Sequence, residues 1–326
     1  MDKQAGNTLA ELGEFGLIDR IRTRFPAPEG VTGIGDDCAV LPQRDGRDTL
    51  VSTDMLVEGT HFLRDDIPPY ALGWKSAAVN LSDIAAMGGR PTGTFLSLAL
   101  PADLQTGWVE DFLRGYSDIS QRFGAALLGG DTTASPDRIC INVAVLGECP
   151  SGSARKRDAA RPGDLVCVTG TLGDSAGGLK AILEDLERDA DVQALIDRHY
   201  LPFPRIEEGL RLAAIPGVHA MMDISDGIGS DLRHILEASG VGAEIDMAAL
   251  PLSPALQRVC TRQGWDATEL AVSGGEDYEL LFTVDPDAEK TLGIPHTVIG
   301  KIGATPSFAG TTGEPLPAGF DHFKKG

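Results

Sequence analysis

Apolar positions along the chain alternate between helical spacing and short continuous runs. Leu9, Leu12, Leu17, Ile18 and Ile21 fall on one helical face, weakened by Gly13 and Gly16. A helix is predicted over 69–87, where Leu72, Ala78, Val79, Leu81, Ile84 and Ala85 are apolar and Gly88-Gly89 ends the run. The spacing predicts further helices over 108–123, 175–186, 205–214 and 228–238. Short apolar runs predict strands at 49–54, 92–100, 139–146, 164–170 and 220–223. Another, from Ala125, runs into a turn at Gly129-Gly130-Asp131. Segments 31–41 and 270–284 read as strand, turn, strand, and the charged stretch 186–200 is expected to face solvent. Strands and helices alternate in both halves, which gives a mixed α/β (α+β) class. The polar, locally basic segment 151–158 interrupts this texture and divides the chain into 1–150 and 151–326.

Composition narrows the function. The chain has 326 residues and a formal net charge of -20, which disfavours nucleic acid and anionic membrane surfaces as partners. No apolar run reaches the ~18 residues of a membrane span. The polar start Met1-Asp2-Lys3-Gln4 lacks a signal-peptide apolar region, so a cytoplasmic protein is expected. Cys38, Cys140, Cys149, Cys167 and Cys260 are odd in number and scattered, and read as reduced apolar side chains.

A recurring grammar carries the chemistry: an apolar run, small residues, then Asp. It occurs at Gly35-Asp36-Asp37, Ser52-Thr53-Asp54, Ser82-Asp83, Gly130-Asp131, Asp223-Ile224-Ser225-Asp226 and Gly275-Glu276-Asp277. One such pair is ordinary turn chemistry. Six of them suggest hard oxygen ligands converging on Mg²⁺, because convergent carboxylates need cations or protons. A Walker phosphate loop, protein-kinase signatures, HExxH and GxSxG are all absent. The Gly-rich run 169–178 before a helix is a weak phosphate-nest candidate, with a plain turn as the alternative. Lys75 reads as a helix-face or phosphate-neutralising lysine, and Arg155-Lys156-Arg157 as a solvated linker.

The strings GIGDDCAV (33–40), STDMLVEGTHF (52–62), KSAAVNLSDIAAMGG (75–89), GGDTT (129–133), DISDG (223–227), SGGEDYELLF (273–282) and GFDHF (319–323) occur in order over nearly the whole chain. In them the chain resembles the thiamine-monophosphate kinase branch of the aminoimidazole ribonucleotide synthetase superfamily. The resemblance implies a two-domain PurM-like fold, with an N-terminal domain for ATP, Mg²⁺ and dimerisation and a C-terminal domain completing the site. It implies phosphorylation of thiamine monophosphate by ATP, the closing step of thiamine diphosphate biosynthesis. By the same motifs, Asp36, Ser52, Thr53, Asp54, Asp83, Asp131, Asp223 and Asp226 are expected to hold several Mg²⁺ ions. Gly130, Asp131, Arg155 and Ser225 are expected to contact ATP, and His61, Glu276 and Phe320 the thiamine phosphate. The family implies a homodimer paired through N-terminal sheets. A phosphate monoester is already anionic at pH 7, so direct in-line transfer without a catalytic base is expected. The rival readings are ATP-dependent cyclisation of a ribonucleotide amide and an acidic metal-binding scaffold.

Overall fold

Residues 14–24, 27–43 and 45–311 are described by the computed structural model of the chain. The first part contains α1 (Glu14–Arg24), β1 (Ala39–Pro42), β2 (Arg47–Val57), α2 (Pro69–Ala86), β3 (Arg90–Pro101), α3 (Thr106–Arg122), β4 (Ala126–Ser135) and β5 (Cys140–Pro150). Its strands form a five-stranded sheet in the order β1-β2-β5-β3-β4. The β3–β4 pair, joined through α3, is parallel; the other pairs are antiparallel. Ile141, Val143 and Val145 of β5 point to one side and are fully buried, as strand periodicity requires of a sheet with one face in the core.

The second part runs through β6 (Leu165–Val168), α4 (Asp174–Leu183), α5 (Ala190–Tyr200), α6 (Ile206–Ala213), β7 (Val218–Asp223), α7 (Ile228–Ser239) and β8 (Gly242–Ile245). It continues with α8 (Pro254–Gln263), α9 (Ala267–Ser273), β9 (Leu280–Val284), α10 (Pro286–Glu289), β10 (Thr297–Gly303) and β11 (Phe308–Gly310). The second sheet has the order β11-β8-β10-β6-β9-β7, with only β11–β8 parallel.

Helix α2 joins the two parts. It is buried on almost every side, from Ala71 to Ala86, and packs on β2 and β5 of one sheet and β7 of the other. Its neighbour α3 comes close because Gly73 and Gly115 sit at the crossing. A Cβ at Gly73 would lie 1.8 Å from the Phe112 carbonyl, and one at Gly115 would lie 1.8 Å from that of Tyr70. Polar side chains on α2 are therefore placed where the two parts meet, and the site is assembled around them.

Most predicted helices and strands appear within a few residues of their expected bounds. Four expectations need correction. The Gly129-Gly130-Asp131 turn is instead continuous strand β4, paired with β3 from Gly93↔Ala126 to Pro101↔Ser135. Residues 186–200 are not a solvent-facing stretch: α5 buries Val192, Leu195, Ile196, His199 and Tyr200. The first strand expected within 270–284 is replaced by helix α9 and an irregular segment, and α8 has no counterpart among the expectations. Within 31–41, Thr32 and Val40 form an isolated bridge and only the end is strand. The helix expected from Leu9 is described from Glu14 onward, and its earlier residues lie outside the described range.

All five cysteines are free, and all but Cys140 are buried. None of the described helices is long and apolar enough to cross a membrane.

Candidate active site

Three carboxylates meet between the two parts. One ligand oxygen each from Asp37, Asp83 and Asp223 lies within 4.8 Å of the others. Asp37 follows the turn before β1, Asp83 comes from the buried helix α2, and Asp223 ends β7. Ser82, the neighbour of Asp83, donates its hydroxyl to Asp223 Oδ2 at 2.5 Å, tying α2 to the second sheet. Burial drives these acids upward: Asp223 is pushed up to about 8, with Asp37 adding to the effect. Burial and then Asp54 raise Asp83 well above its ordinary range, while the Ser52 hydroxyl bonded to it works the other way. Asp54 is lifted by burial and by Asp37 to about 6, and Asp36 by burial and Asp37 to about 7. Buried like charges cannot all ionise unless cations join them. A set made only of carboxylate oxygens, with Ser and Thr hydroxyls nearby, suits a hard divalent cation such as Mg²⁺.

One fixed cation already faces this cluster. The guanidinium of Arg157 pairs with Asp37 and lies 3.4 Å from Asp36 Oδ1, and the Arg157 amide reaches Asp36 Oδ2 at 3.4 Å. Arg155, expected to contact ATP, does not join this cluster: its guanidinium donates to the carbonyls of Ala213 and Ile215 at 2.6 and 3.1 Å. The run Arg155-Lys156-Arg157 is thus not a solvated linker at Arg157, which is largely buried. Likewise Asp37, not Asp36, joins Asp83 and Asp223. A sequence cannot tell which of two consecutive turn residues points inward.

A cavity of about 800 Å³ opens beside the cluster. Thr53, Asp54, Asp83, Asp223, Ser225 and Asp226 form its polar wall. Met55, Leu56, Ile67, Leu179, Leu183 and Tyr200 supply an apolar wall. His61 and Glu276 line it too. The His61 ring accepts the Val57 amide at Nδ1, 3.0 Å away, so a neutral ring carries its proton on Nε2. Thr53 is held by Asn142, whose amide donates to its hydroxyl at 2.9 Å, and the Asp54 amide donates to the Asn80 side chain at 3.1 Å.

Glu276 sits in the Gly-rich segment after α9. Its backbone is left-handed, with φ 66°, and its amide donates to the Ser225 carbonyl at 2.7 Å. Tyr278 is left-handed as well, at φ 50°. Such conformations cost about 1 kcal/mol for residues with a Cβ and mark a segment held by its surroundings. Burial would raise the Glu276 carboxyl most, but the ammonium of Lys75 together with the rings of His199 and His61 offsets it and holds the group below its ordinary range. Three residues on, Glu279 is fully buried and paired with Arg198 and Arg205.

The Gly-rich run 169–178 is already engaged. Asp277 accepts the Gly173 and Ser175 amides at 2.7 and 3.2 Å, so the chain's own carboxylate fills that nest. Gly130 and Asp131 lie on the exposed edge strand β4 and are not part of the cavity wall. Phe320 lies outside the described residues.

Sequence reasoning missed Asp37 and Arg157 as members of the cluster, and misjudged Lys75, which is buried. It also overlooked Asp231, a buried acid on α7 that accepts the Asp226 amide at 3.2 Å. Its position five residues after Asp226 was the available signal.

Comparisons with known proteins agree with this architecture. Residues 35–149 match the model of the AIR synthase related protein, N-terminal domain, and residues 161–312 match that of the C-terminal domain. The thiamine-monophosphate kinase of Salmonella typhimurium is 42% identical over 95% of this chain and 98% of its own length. A solved structure described as "AaThiL complexed with AMPPCP and TMP" superposes with a TM-score of 0.90 at 38% identity, covering 97% of this chain and 99% of that one. The thiamine monophosphate kinase of Aquifex aeolicus gives a TM-score of 0.84 at 37% identity, covering 95% and 99% respectively. With both AIR synthase related domains in order and this likeness over nearly its full length, the chain belongs to the thiamine-monophosphate kinase family.

Proposed function

We propose that this protein transfers the γ-phosphoryl group of ATP to the phosphate of thiamine monophosphate, yielding thiamine diphosphate and ADP. The observation that carries the reading is a buried oxygen-ligand cluster opening into a half-apolar cavity that also contains an ionised glutamate. The polyphosphates suit the aspartate end. A flat heterocyclic cation suits the end with Glu276, His61 and the aliphatic wall. Family membership adds the substrate pair, which the AMPPCP and TMP of the related structure mirror.

Asp37, Asp83 and Asp223 are the proposed core of the metal set, with Asp36, Ser52, Thr53, Asp54, Asp131 and Asp226 as the family pattern extends it. Bound Mg²⁺ would supply charge neutralisation for the two phosphates. The remaining work falls to the chain itself. Arg157 holds Asp36 and Asp37 in place, and Arg155 is kept as a proposed nucleotide contact. Ser225, Gly130 and Asp131 are proposed nucleotide contacts, and His61, Glu276 and Phe320 proposed thiamine contacts. An anionic oxygen of thiamine monophosphate forms the new bond to the γ-phosphorus as the bond to the β-phosphate oxygen breaks. No residue need remove a proton, because the attacking oxygen carries none at neutral pH.

We further propose a cytoplasmic homodimer joined through the first sheet. Residues 1–150 would provide that interface and much of the ATP and Mg²⁺ site, and residues 151–326 would complete it. Strand β4 is exposed along nearly its whole length, with Leu127 and Leu128 at 50% and 56%, next to Phe95 at 41%. An open apolar edge of this kind calls for a partner.

Phosphorus NMR of the purified protein with ATP, Mg²⁺ and thiamine monophosphate tests the reaction. Thiamine diphosphate and ADP should appear in equal amounts. ADP with a ribonucleotide amide instead would overturn the substrate, and a phosphorylated protein trapped from labelled ATP would overturn direct transfer.

A further inference from the structure

Lys75 is the largest anomaly of the buried helix α2. Its side chain is 1% exposed, in the middle of a helix that packs against both sheets. Lysine is almost never buried so completely without a partner. Here the partner is Glu276: Nζ lies 2.9 Å from Oε1. The two groups form a close ion pair. Lys75 does not line the cavity, whereas Glu276 does, with 27% of its side chain exposed. The ammonium therefore stands behind the carboxylate, on the side away from a ligand.

A second group flanks the other oxygen. His199 Nδ1, from the buried face of α5, lies 3.3 Å from Glu276 Oε2 and 3.0 Å from the Ser175 hydroxyl at the start of α4. Burial, then the nearby Lys75 charge, pushes His199 down to about 3, so its ring is neutral and Lys75 is the fixed cation beside the carboxylate. The carboxylate is thus paired from α2 and flanked from α5, while its backbone is held left-handed, with its amide donating to the Ser225 carbonyl. A carboxylate held in this way costs a ligand no reorganisation when it binds.

We infer that Lys75 is a positioning residue that keeps Glu276 ionised and aimed into the cavity, and so sets affinity for the cationic, heterocyclic end of the phosphoryl acceptor. The inference rests on the proposed reading of Glu276 as an acceptor contact. The arrangement separates the two substrates: Lys75 acts on the acceptor end, and the aspartate cluster acts on the phosphates.

The test measures equilibrium binding of thiamine monophosphate and of an unreactive ATP analogue with Mg²⁺, together with steady-state kinetics. Lys75→Met should raise the dissociation constant and KM for thiamine monophosphate by at least ~10-fold, the scale of one charge-assisted contact. Binding of the nucleotide should stay within about twofold, since Lys75 faces no part of that site. Glu276→Gln should give a similar loss, and the double variant Lys75→Met/Glu276→Gln should be no worse than Glu276→Gln alone. That double variant also removes both buried charges together, so it stays folded if the single lysine change does not. Additive losses, or equal losses for both substrates, would overturn the inference. If the wild-type protein binds no thiamine monophosphate, the substrate reading falls by itself. The crystal structure of ligand-free Lys75→Met, or of Lys75→Gln if the former does not fold, then judges positioning directly. A Glu276 carboxylate that stays in place without Lys75 refutes the role, and one that swings away upholds it.

Discussion

Replacing Asp83 by Asn should stabilise the metal-free protein while abolishing most of its activity. The three clustered oxygens lie within 4.8 Å of one another, so each pair of ionised groups repels by about 3.5 kcal/mol at an effective dielectric near 20. Protonation relieves part of this, which is why burial and mutual repulsion lift Asp223 to about 8 from an ordinary 3.8. A carboxyl with a raised folded pKa binds more protons when folded, so stability falls as pH rises between the two values. For Asp223 that window is about pH 4 to 8, and each such group can remove up to ~1.4 kcal/mol per pH unit. Thermal unfolding in EDTA should therefore show the wild-type midpoint dropping from pH 5.5 to 8. Asp83→Asn removes one charge from the set, so its midpoint at pH 8 should lie above wild type by several degrees, about 1–3 kcal/mol. At pH 5.5 the two should nearly coincide. Added Mg²⁺ should stabilise wild type strongly and the variant weakly, and kcat should fall at least ~10²-fold in the variant. A wild-type midpoint that does not fall with pH, or a variant less stable than wild type at pH 8, would refute the account of the cluster.

Arg157→Met leaves Asp36 and Asp37 buried without their cation. Urea unfolding at pH 8 should show a loss of about 3 kcal/mol, shrinking toward pH 5 as the carboxyls take up protons; a loss independent of pH would mean that only packing was changed. Gly115→Ala drives a methyl group against the Tyr70 carbonyl at the crossing of α2 and α3. It should cost about 2–3 kcal/mol in the same assay, and an unchanged stability would contradict the close crossing. Leu128→Asp places a charge on the open β4 edge and should convert a sedimenting dimer to monomer; a dimer that survives would move the interface elsewhere.

Local patterning in the sequence determined much of this. The period of Leu72, Ala78, Val79, Leu81 and Ile84 defined α2 almost to its last residue, because a helix stop at Gly88-Gly89 is a local matter. The Asp-bearing strings marked three segments that the fold brings together, those of Asp37, Asp83 and Asp223, because short acids beside small residues are legible without knowing what faces them. Where the sequence reading failed, the deciding contact was distant in the chain. The Gly129-Gly130-Asp131 run looked like a turn, yet it pairs with β3, and pairing across sequence overrides turn propensity. The charged run before Tyr200 looked exposed, but its apolar residues pack as α5 against α4 and α8. Which acid of the Asp36-Asp37 pair points inward, and which arginine of 155–157 meets it, depends on side-chain direction within a turn.

The sequence by itself determined the class of fold and the family, and it marked where acids and hydroxyls stand beside small residues, since each is written in local strings. Only the tertiary structure decided which of those residues act together. Asp37, Asp83 and Asp223 come from three separate elements, and their repulsion exists only once the chain has brought them within a few ångströms. The same holds for Lys75 and Glu276, some two hundred residues apart in sequence and 2.9 Å apart in space. Coulomb energy and desolvation depend on distance and burial, and neither is a property of a position in the chain.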